Sequence, residues 1–556
     1  MYHVIIWRSI LKIEFTKEKL DILKQNLKLN SNSYSIANLT LDNKLFLHSN
    51  LEIIEFKDEI DWGYEHKTSP KTYQVYIHSL SFLNPLLYLY ETTKELKYLK
   101  KVEKEIKRWL NYSEISDNGN IWAEQAVANR LITLMYFLFF INKTSINYNR
   151  LLHIIERHLN FLSNPINYKE NNHGLMMDRA LLLTSIFLKN NNQKTFYLDV
   201  AKNRIEKLIL RDFSYQGVHL ENSPEYHILV LKLIKQVINL FKILEYKLDY
   251  RIIDILKKAE NYLPHIVNHK QELPLIGDTA LNYIKENKCY NDFIDYEAGI
   301  CIFNNEDLKS TLIFNSGFKN KAHKHRDDLS FIYSINGHNL FTDGGKLSYD
   351  YESKLVKHIR SPLAHNAFTI RGLEYSILDN NLSKIITTFS TEDYKYVVGE
   401  MKFNEKILKR HLILFNEGQI VIVDQGKSVK EEEWIQNFLL DDAVQINKME
   451  AKLLNIKHND LEYHIDFLTM NSDIRVFFGK KNNAFISKKF NETTDCYRIE
   501  NVKFGKDCSF ITTIFPKSSQ SYEIKLENLS LIFIDSNKTI TVPLQCSGFE
   551  DTIARE

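Results

Sequence analysis

The sequence predicts two domains, an α-helical domain followed by an antiparallel β domain of layered sheets. From about residue 70 to residue 275, apolar residues recur at the three- and four-residue spacing of amphipathic helices. After about residue 295, short segments rich in β-branched and aromatic residues alternate with turn signals. The length of 556 residues also exceeds what one hydrophobic core usually serves. We therefore predict domains at 1–285 and 286–556.

Three segments carry the helical prediction. LLHIIERHLNFL (151–162) and GLMMDRALLLTSIFLK (174–189) repeat apolar residues with the helical period. In ENSPEYHILVLKLIKQVINLFKILE (221–245), Ser223 is the predicted N-cap and Pro224 the first helical residue. Helices in series joined by polar loops indicate a domain of packed helical hairpins.

Three other segments predict strands and hairpins. They are STLIFNSG (310–317), HLILFNEGQIVIVDQG (411–426) and LSLIFIDSNKTITVPL (529–544). Each combines a short apolar run with β-branched or aromatic residues and a turn signal. Together they predict an antiparallel β domain.

A tight hairpin is predicted to bring possible metal ligands together. Asn336-Gly337 lies between two alternating apolar runs, and in that register residue 330 faces residue 343. His325, just before the first strand, and Asp343, at the end of the second, should then be neighbours. Imidazole and carboxylate suit a first-row metal, with His365 of RSPLAHNAF as a third candidate. The spacing leaves an alternative open, in which Asp343 caps the Gly-Gly turn and His365 is a core histidine.

The helical half holds two further polar groups. Asn171, Asn172 and His173 open one predicted helix, where a single Asn is commonly only an N-cap. Tyr226 and His227 lie in the first turn of another, where the helix N-terminus suits an anionic ligand. That field is expected to lower the cost of forming a Tyr226 phenolate. Packing against a neighbouring helix is the alternative for Tyr226.

The charge balance argues against a nucleic-acid binder. The 72 Lys and Arg residues nearly cancel the 70 Asp and Glu residues, giving a net charge of +2. The longest apolar run, LITLMYFLFFI (131–141), is far shorter than the about 20 residues of a membrane-spanning helix. It predicts a buried helix and no membrane span.

Cysteine usage and the N-terminal segment also limit the possibilities. The five cysteines have no CxxC spacing, which argues against a disulfide framework and a thiolate metal site. They are Cys289, Cys301, Cys496, Cys508 and Cys546. The segment MYHVIIWRSILKIEF has neither a basic n-region nor a small-residue cleavage site. We expect it to be part of the mature fold, which indicates a cytoplasmic protein.

The segments in their order resemble the heparinase II/III polysaccharide lyases. The resemblance covers most of the chain and rests on WGYEHK, IWAEQAVANRLITLMYF, NNHGLMMDRALLL, GVHLENSPEYHILVL, HKHRDDLSFIYSINGHNLFTDGG and RSPLAHNAFTI. It implies an N-terminal incomplete (α/α) toroid, a C-terminal antiparallel β-sandwich domain and an active site in the cleft between them. It also implies periplasmic or exported relatives, although the N-terminal segment predicts no signal peptide.

The resemblance implies catalytic roles for four residues. Asn172 or His173 matches the position that neutralises the uronate carboxylate. Tyr226 matches the catalytic tyrosine, and His323, the first histidine of AHKHRDD, matches the catalytic histidine. Asn171 and Arg360 are assigned to substrate binding.

The resemblance also implies a metal site. His325, Asp343 and His365 match the ligands of one structural divalent ion, with zinc as the first choice and calcium or manganese as alternatives. The chain departs from the family pattern at Lys324, where small residues are common. Asp327 and Asp328 are interpreted as residues that fix the loop.

The implied reaction is β-elimination on an acidic polysaccharide of the heparan sulfate or heparosan type. A base removes the C5 proton of a uronic acid, and the C4 glycosidic oxygen leaves, giving a 4,5-unsaturated uronate. His323 or Tyr226 is the base, depending on the uronate epimer, and Tyr226 is the preferred acid. The metal is expected to order the loop that carries His323.

Two alternatives remain at this point. One is a non-catalytic carbohydrate-binding protein in the assembly of a bacterial surface (capsule) polysaccharide, favoured by the absent signal peptide. The other is metal-dependent hydrolysis, which requires an open water position on the metal. The presence of Tyr226, His323 and the Asn172-His173 pair favours the lyase, since a binding protein does not need all of them. The sequence predicts no oligomeric state.

Overall fold

The computed structural model describes residues 11–27, 29, 32–49, 51–378, 382–518, 523–527, 530–534 and 538–544. The chain divides into two compact units. The first comprises Met1–Leu210 and Val230–Ile252, and the second comprises Arg211–Leu229 and Ile253–Glu556. The first unit is mainly helical, and the second holds the large sheets. The predicted domain boundary at residue 285 stays a prediction.

Helices make up most of the chain before residue 267 because their apolar residues recur with the helical period. The α-helices among the described residues are α1 (Lys17–Gln25), α2 (Ser33–Leu41), α3 (Pro70–His78), α4 (Asn84–Thr93), α5 (Leu96–Ile115), α6 (Glu124–Leu138), α7 (Tyr148–Ser163), α8 (Asn172–Ser185), α9 (Asn191–Asp212), α10 (Pro224–Ile243), α11 (Tyr250–Ile266) and α12 (Lys354–Ile359).

Antiparallel strands make up most of the chain after residue 292. The described strands are β1 (Lys44–Leu45), β2 (Ile54–Glu55), β3 (Phe293–Asp295), β4 (Ile300–Asn305), β5 (Ser310–Asn315), β6 (Ser330–Ile335), β7 (His338–Phe341), β8 (Phe368–Ile370), β9 (Ser383–Ser390), β10 (Tyr394–Phe403), β11 (Lys406–Phe415), β12 (Ile420–Leu439), β13 (Gln445–Glu450), β14 (Leu453–His458), β15 (Leu461–Phe467), β16 (Asp473–Phe478), β17 (Phe485–Ile486), β18 (Thr494–Asp495), β19 (Tyr497–Pro516), β20 (Glu523–Glu527), β21 (Ser530–Ile534) and β22 (Thr539–Pro543).

A sandwich of two sheets forms the main core of the second unit. The five-stranded sheet has the order β3-β4-β5-β6-β7. The larger sheet has the order β13-β14-β15-β19-β12-β11-β10-β9, with β16 also paired to β19 and β8 to β12. Phe303 and Leu312 of the small sheet pack in one buried cluster with Leu412 and Phe438 of the large sheet. The facing apolar sides of the two sheets therefore exclude water from one shared layer.

The outer faces of this sandwich are covered as well. Tyr262 and Ile266 of α11 pack on the small sheet against Ile302 and Ile313. On the far side of the large sheet, the three-stranded sheet β20-β21-β22 contributes a second buried layer. Because the small sheet is covered on both faces, all six residues of β5 are buried.

The structure confirms the predicted helical segments and corrects their ends. Residues 151–162 lie within α7, and α10 begins at Pro224 as predicted. The backbone N–H of Tyr226 approaches Ser223 Oγ at 3.4 Å, as expected for the N-cap. α8 ends at Ser185, before the predicted end at residue 189.

The apolar run at 131–141 is buried apart from Phe139, which is exposed, and α6 covers it as far as Leu138. Helices α1 and α2 were not predicted, because both lie before the region where helical periodicity becomes continuous. The described parts of the three predicted β segments lie in strands β5, β11, β12, β21 and β22.

The predicted hairpin forms with one irregularity. Asn336 and Gly337 have φ values of 51° and 71°, as a two-residue type I′ turn requires. Ile335 pairs with His338 as predicted, but the register shifts between Tyr333 and Ser334. The predicted pairing of 330 with 343 is therefore wrong, because a bulge displaces the outer part of the hairpin.

Four of the five cysteines lie among the described residues. Cys289, Cys301, Cys496 and Cys508 form no disulfide bond there. Cys546 and the first ten residues lie outside the described residues. Within the described ranges, no helix has the length and apolar character needed to cross a membrane.

Candidate active site

Tyr226 and His323 form the centre of the candidate site in the second unit. Their rings are stacked, with centroids 3.5 Å apart and an angle of 20° between the planes. Tyr226 lies in the first turn of α10, and His323 lies in the loop before β6. Both residues are only partly buried.

The loop that carries His323 is fixed by backbone contacts. Asn222, at the entrance to α10, donates from Nδ2 to the carbonyls of Asn320 and Ala322, at 2.6 and 3.0 Å. His323 itself has a φ of 56°, a left-handed conformation that non-glycine residues rarely adopt. Such backbone strain is often found at functional sites.

Asp278 is the main partner of His323. Its Oδ2 lies 2.9 Å from His323 Nδ1, while its Oδ1 lies 3.0 Å from His325 Nε2 and accepts from Arg360 Nη1 at 2.9 Å. Burial alone would raise the pKa of Asp278, but the hydrogen bonds of the two histidines and the charge of Arg360 hold it well below its usual range. Asp278 is therefore an ionised, buried acceptor.

Tyr349 is the hydrogen-bond partner of Tyr226. The two phenol oxygens are 2.6 Å apart, and the side chain of Lys346 lies 5.4 Å from the centre of the Tyr226 ring. Burial, followed by the contact with Tyr349, raises the pKa of Tyr226 well above its ordinary value. This direction is opposite to the one expected from the helix N-terminus, because burial disfavours the charged phenolate.

His227, the next residue in α10, belongs to the core. Its Nδ1 accepts from the backbone N–H of His219 at 3.2 Å, and its Nε2 donates to the Ala259 carbonyl at 2.9 Å. Burial lowers the pKa of His227 to about 4. The ring is thus neutral, and both of its nitrogens are occupied by hydrogen bonds within the core.

His325, Asp343 and His365 form a buried three-residue cluster. One potential ligand atom from each lies within 4.8 Å of the other two. His365 Nδ1 is 2.7 Å from Asp343 Oδ1, yet neither atom makes an aligned hydrogen bond within the described part of the chain. His325 Nδ1 is also buried without such a partner. Buried polar atoms are normally paired, so lone pairs that converge without hydrogen bonds fit a divalent metal.

Lys324, between the two histidines, points into the protein. It is buried and pairs with Asp327, and its Nζ lies 3.3 Å from Asp328 Oδ2. Burial would lower the pKa of Lys324, but the two carboxylates raise it above its ordinary value. Lys324 thus replaces the small residue that is common at this position in the family, and the carboxylates of Asp327 and Asp328 compensate its buried charge.

Arg360 contacts the site through its hydrogen bonds. Besides Asp278, its guanidinium donates from Nη2 to the Lys324 carbonyl at 2.7 Å. Arg360 also lines a cavity of about 400 Å³ together with Arg326, Lys357 and Tyr351. Its predicted contact with an acidic sugar stays a prediction.

Asn171, Asn172 and His173 lie in the first unit. Asn171 is the N-cap of α8, and its Oδ1 accepts from the His173 backbone N–H at 2.9 Å. His173 Nδ1 lies 2.8 Å from Glu124 Oε1. Burial would raise the pKa of Glu124, but the hydrogen bond with His173 and one from its own backbone lower it. The predicted roles of these three residues toward a substrate stay predictions.

Comparison with protein families decides the classification. The family description "Heparinase II/III N-terminus" matches residues 8–305, and "Heparinase II/III-like, C-terminal" matches residues 296–499. This chain belongs to the heparinase II/III family. As a member it is a polysaccharide lyase, which confirms the predicted enzyme class. No curated protein sequence matches the chain.

Solved structures support the fold of this heparinase II/III member. A heparinase III structure matches with a TM-score of 0.77 and 15% identity, over 96% of this chain and 98% of that one. A heparan sulfate lyase, HepC from Pedobacter heparinus, matches with a TM-score of 0.72 and 15% identity, over 95% of this chain and 93% of that one. A chondroitinase AC lyase matches with a TM-score of 0.56 and 11% identity, over 93% of this chain and 86% of that one. The predicted fold class, an incomplete (α/α) toroid followed by an antiparallel β-sandwich domain, is confirmed.

Sequence reasoning did not single out three residues that contact the predicted site residues. They are Asp278, Tyr349 and Glu124. Asp278 lies in PLIGDTAL, which carries the signals of an ordinary turn, and Tyr349 follows a Gly-Gly turn. Each contacts a partner at least 45 residues away in the sequence, so no local sequence pattern predicts the contact.

Replacing Tyr349 by phenylalanine should slow turnover moderately. The variant loses the hydrogen bond to the Tyr226 hydroxyl but keeps the ring. A neutral hydrogen bond contributes about 1 kcal/mol, so we expect kcat to fall by roughly threefold to tenfold. Steady-state kinetics check this, with Tyr250→Phe, which removes the hydroxyl of an exposed tyrosine, as the control. An unchanged kcat would mean that Tyr226 is held in place without Tyr349.

Replacing Lys324 by methionine should destabilise the heparinase II/III fold strongly. The change leaves Asp327 and Asp328 buried with their cation removed, which typically costs about 3–5 kcal/mol. Urea unfolding of the variant measures this loss. Lys321→Met, at an exposed position of the same loop, is the control and should cost little. Equal unfolding midpoints for the two variants would contradict the internal role of Lys324.

Proposed function

We propose that this protein cleaves a uronic-acid-containing polysaccharide of the heparan sulfate or heparosan type by β-elimination. One observation carries the proposal. Tyr226 and His323, two groups able to move protons, are stacked at 3.5 Å in a partly open site. The family membership and the heparan sulfate lyase among similar folds support the same substrate class.

The proposed chemistry divides the proton transfers between the two side chains. A base takes the C5 proton of the uronate, and an acid protonates the C4 oxygen as it leaves. Tyr226 suits the acid role, because burial and Tyr349 keep its phenol protonated near neutral pH. His323 or Tyr226 serves as the base, according to the epimer of the uronate.

The C5 proton becomes removable only when the adjacent carboxylate is neutralised. Hydrogen-bond donors placed at that carboxylate stabilise the negative charge that develops in the transition state. We assign this task to Asn172 and His173, with Asn171 nearby in the same helix turn. Glu124 holds the His173 ring through Nδ1, which leaves Nε2 as the atom for a ligand.

A divalent metal at His325, Asp343 and His365 is part of the proposal. Two imidazoles and one carboxylate favour zinc, while calcium prefers oxygen ligands. When bound, the ion would supply structural cross-linking of the loop after His323, the end of the β6-β7 hairpin and the segment before β8. No proton transfer in the proposed reaction requires it.

The cavity beside Arg360 supports an acidic polymer. Arg326, Lys357 and Arg360 line it together with one carboxylate, Glu374, and Tyr351 offers an aromatic face. Clustered cations in a concave surface attract anionic ligands. Sulfated or carboxylated sugars fit this chemistry better than neutral glycans.

Incubation with single polymers tests the proposed function. The protein is mixed separately with heparan sulfate, heparosan, hyaluronan, chondroitin and alginate, and the ultraviolet absorbance of the unsaturated uronate is followed. We expect absorbance to rise with heparan sulfate or heparosan. If the protein binds a polymer tightly but the absorbance rises with none of the five, the lyase activity is refuted and an accessory binding role is favoured. Sugar release without the unsaturated product would indicate hydrolysis.

A further inference from the structure

Asp278 joins the two histidines of the AHKHRDD loop through one carboxylate. Its Oδ2 meets His323 Nδ1 at 2.9 Å, and its Oδ1 meets His325 Nε2 at 3.0 Å. His323 belongs to the pair stacked with Tyr226, whereas His325 belongs to the three-residue metal cluster. A single side chain therefore contacts both parts of the site.

The backbone around Asp278 is built for this position. Its N–H donates to the His323 carbonyl at 3.3 Å, and its own carbonyl accepts from Ser223 Oγ at 3.2 Å. Gly277 has a φ of 55°, and a Cβ there would lie 2.6 Å from the His323 carbonyl oxygen. Only glycine allows this close approach without strain. The turn is thus fixed both to the His323 segment and to the N-cap of α10.

The two contacts set opposite tautomers. The Arg360 guanidinium donates to Asp278 Oδ1 at 2.9 Å, as to a carboxylate, and a carboxylate only accepts hydrogen bonds. Each neutral imidazole therefore places its proton on the nitrogen that faces Asp278. His323 then carries its proton on Nδ1 and keeps the Nε2 lone pair for proton transfer. His325 carries its proton on Nε2 and keeps the Nδ1 lone pair. That Nδ1 is the buried atom without a hydrogen-bond partner among the described residues.

We propose that Asp278 is a positioning residue that sets the tautomers of His323 and His325 together and so couples the metal cluster to the proton-transfer pair. The proposal rests on the proposed function for the role of His323. It resembles the general arrangement in which a carboxylate orients a histidine ligand or a histidine base. Here one carboxylate serves both purposes, with one oxygen for each ring.

Asp278→Asn tests the coupling. An amide offers one accepting oxygen and one donating NH₂ group, so it cannot accept from both rings. At least one histidine must then change its tautomer or lose its hydrogen bond. We expect kcat to fall by about 100-fold or more, because the base is misoriented. Asp278 Oδ1 also accepts from Arg360 Nη1 at 2.9 Å, so a change in KM reports on Arg360 and not on the tautomers. Asp350→Asn, in an exposed loop, is the matched control.

Metal binding gives a readout independent of activity. Titration with Co²⁺ in competition with a chelator measures affinity, and the visible spectrum of bound Co²⁺ reports the ligand set. We expect Asp278→Asn to bind Co²⁺ about 10- to 100-fold more weakly than the wild type, the usual loss when a carboxylate behind a histidine ligand is removed. Asp350→Asn should bind as the wild type does.

Histidine tautomers give a second readout on the wild-type protein. Selective ¹⁵N-histidine labelling, with assignment by His323→Gln and His325→Gln, distinguishes protonated from bare ring nitrogens. We expect His323 to carry its proton on Nδ1, and metal-free His325 on Nε2. This measurement decides the proposal even if Asp278→Asn fails to fold, since the opposite tautomer at either ring would overturn it.

The outcomes separate this proposal from the proposed function. If Asp278→Asn loses metal affinity but keeps wild-type kcat at saturating metal, the coupling is refuted. If it loses kcat but keeps metal affinity, the shared role is refuted as well. If the wild type cleaves none of the five polymers, the proposed function fails, and the Co²⁺ and ¹⁵N measurements still decide whether Asp278 orients both rings.

Discussion

Tyr226→Phe is expected to abolish turnover and leave polysaccharide binding nearly unchanged. The substitution removes one hydroxyl and keeps the ring that stacks on His323 at 3.5 Å. Acid or base catalysis by one positioned group contributes about 10²- to 10⁴-fold, so kcat should fall within or beyond that range. KM should change little, because the phenol acts mainly on the developing charge of the leaving oxygen.

One binding measurement on Tyr226→Phe and one control variant make this result specific. Binding of the polymer, followed by calorimetry, should stay within about threefold of the wild type. Tyr250→Phe, which removes a hydroxyl from an exposed tyrosine, should keep full activity. Wild-type turnover by Tyr226→Phe would refute the assigned role and require another acid.

Loss of the metal cluster should produce the second large effect, on stability. His365→Ala removes a fully buried potential ligand, so bound metal should be lost. A ligand present at 1,000 times its Kd stabilises a fold by about 4 kcal/mol, and that contribution disappears with the site. We expect a lower Tm for His365→Ala, and the same direction for the wild type after treatment with a chelator.

The chelator also provides the control for this prediction. If the ion acts at His365, chelation should lower the Tm of the wild type and leave the Tm of His365→Ala unchanged. His153→Ala, at an exposed position in α7, should behave as the wild type does. A wild-type Tm that does not respond to chelation, together with undiminished metal content in His365→Ala, would count against the three ligands.

The fold could largely be predicted because local patterns repeat along each half. Helical periodicity marked α7, α8 and α10, and the Asn336-Gly337 turn marked the β6-β7 hairpin. The bulge at Tyr333 could not be predicted, because a one-residue register shift depends on packing against the neighbouring strand. Helices α1 and α2 were missed because their apolar periodicity is short.

The candidate site was predictable only in part. The order of the motifs predicted Tyr226 and His323 as catalytic residues and three others as metal ligands. The structure brings the catalytic pair together and also brings the three metal-cluster residues together. Asp278 and Tyr349 could not be predicted, because side-chain contacts across 45 and 123 residues leave no local signal. The upward shift of the Tyr226 pKa is caused mainly by burial of the side chain, which a single sequence does not reveal.

The length of β19 determines where the chain can be shortened. The family match ends at residue 499, near the start of β19, which continues to Pro516. This strand pairs with β12 on one side and with β15 and β16 on the other. A fragment cut at the end of the family match would expose the unpaired edges of these three strands to solvent. An expression boundary chosen by homology alone would therefore divide the central sheet.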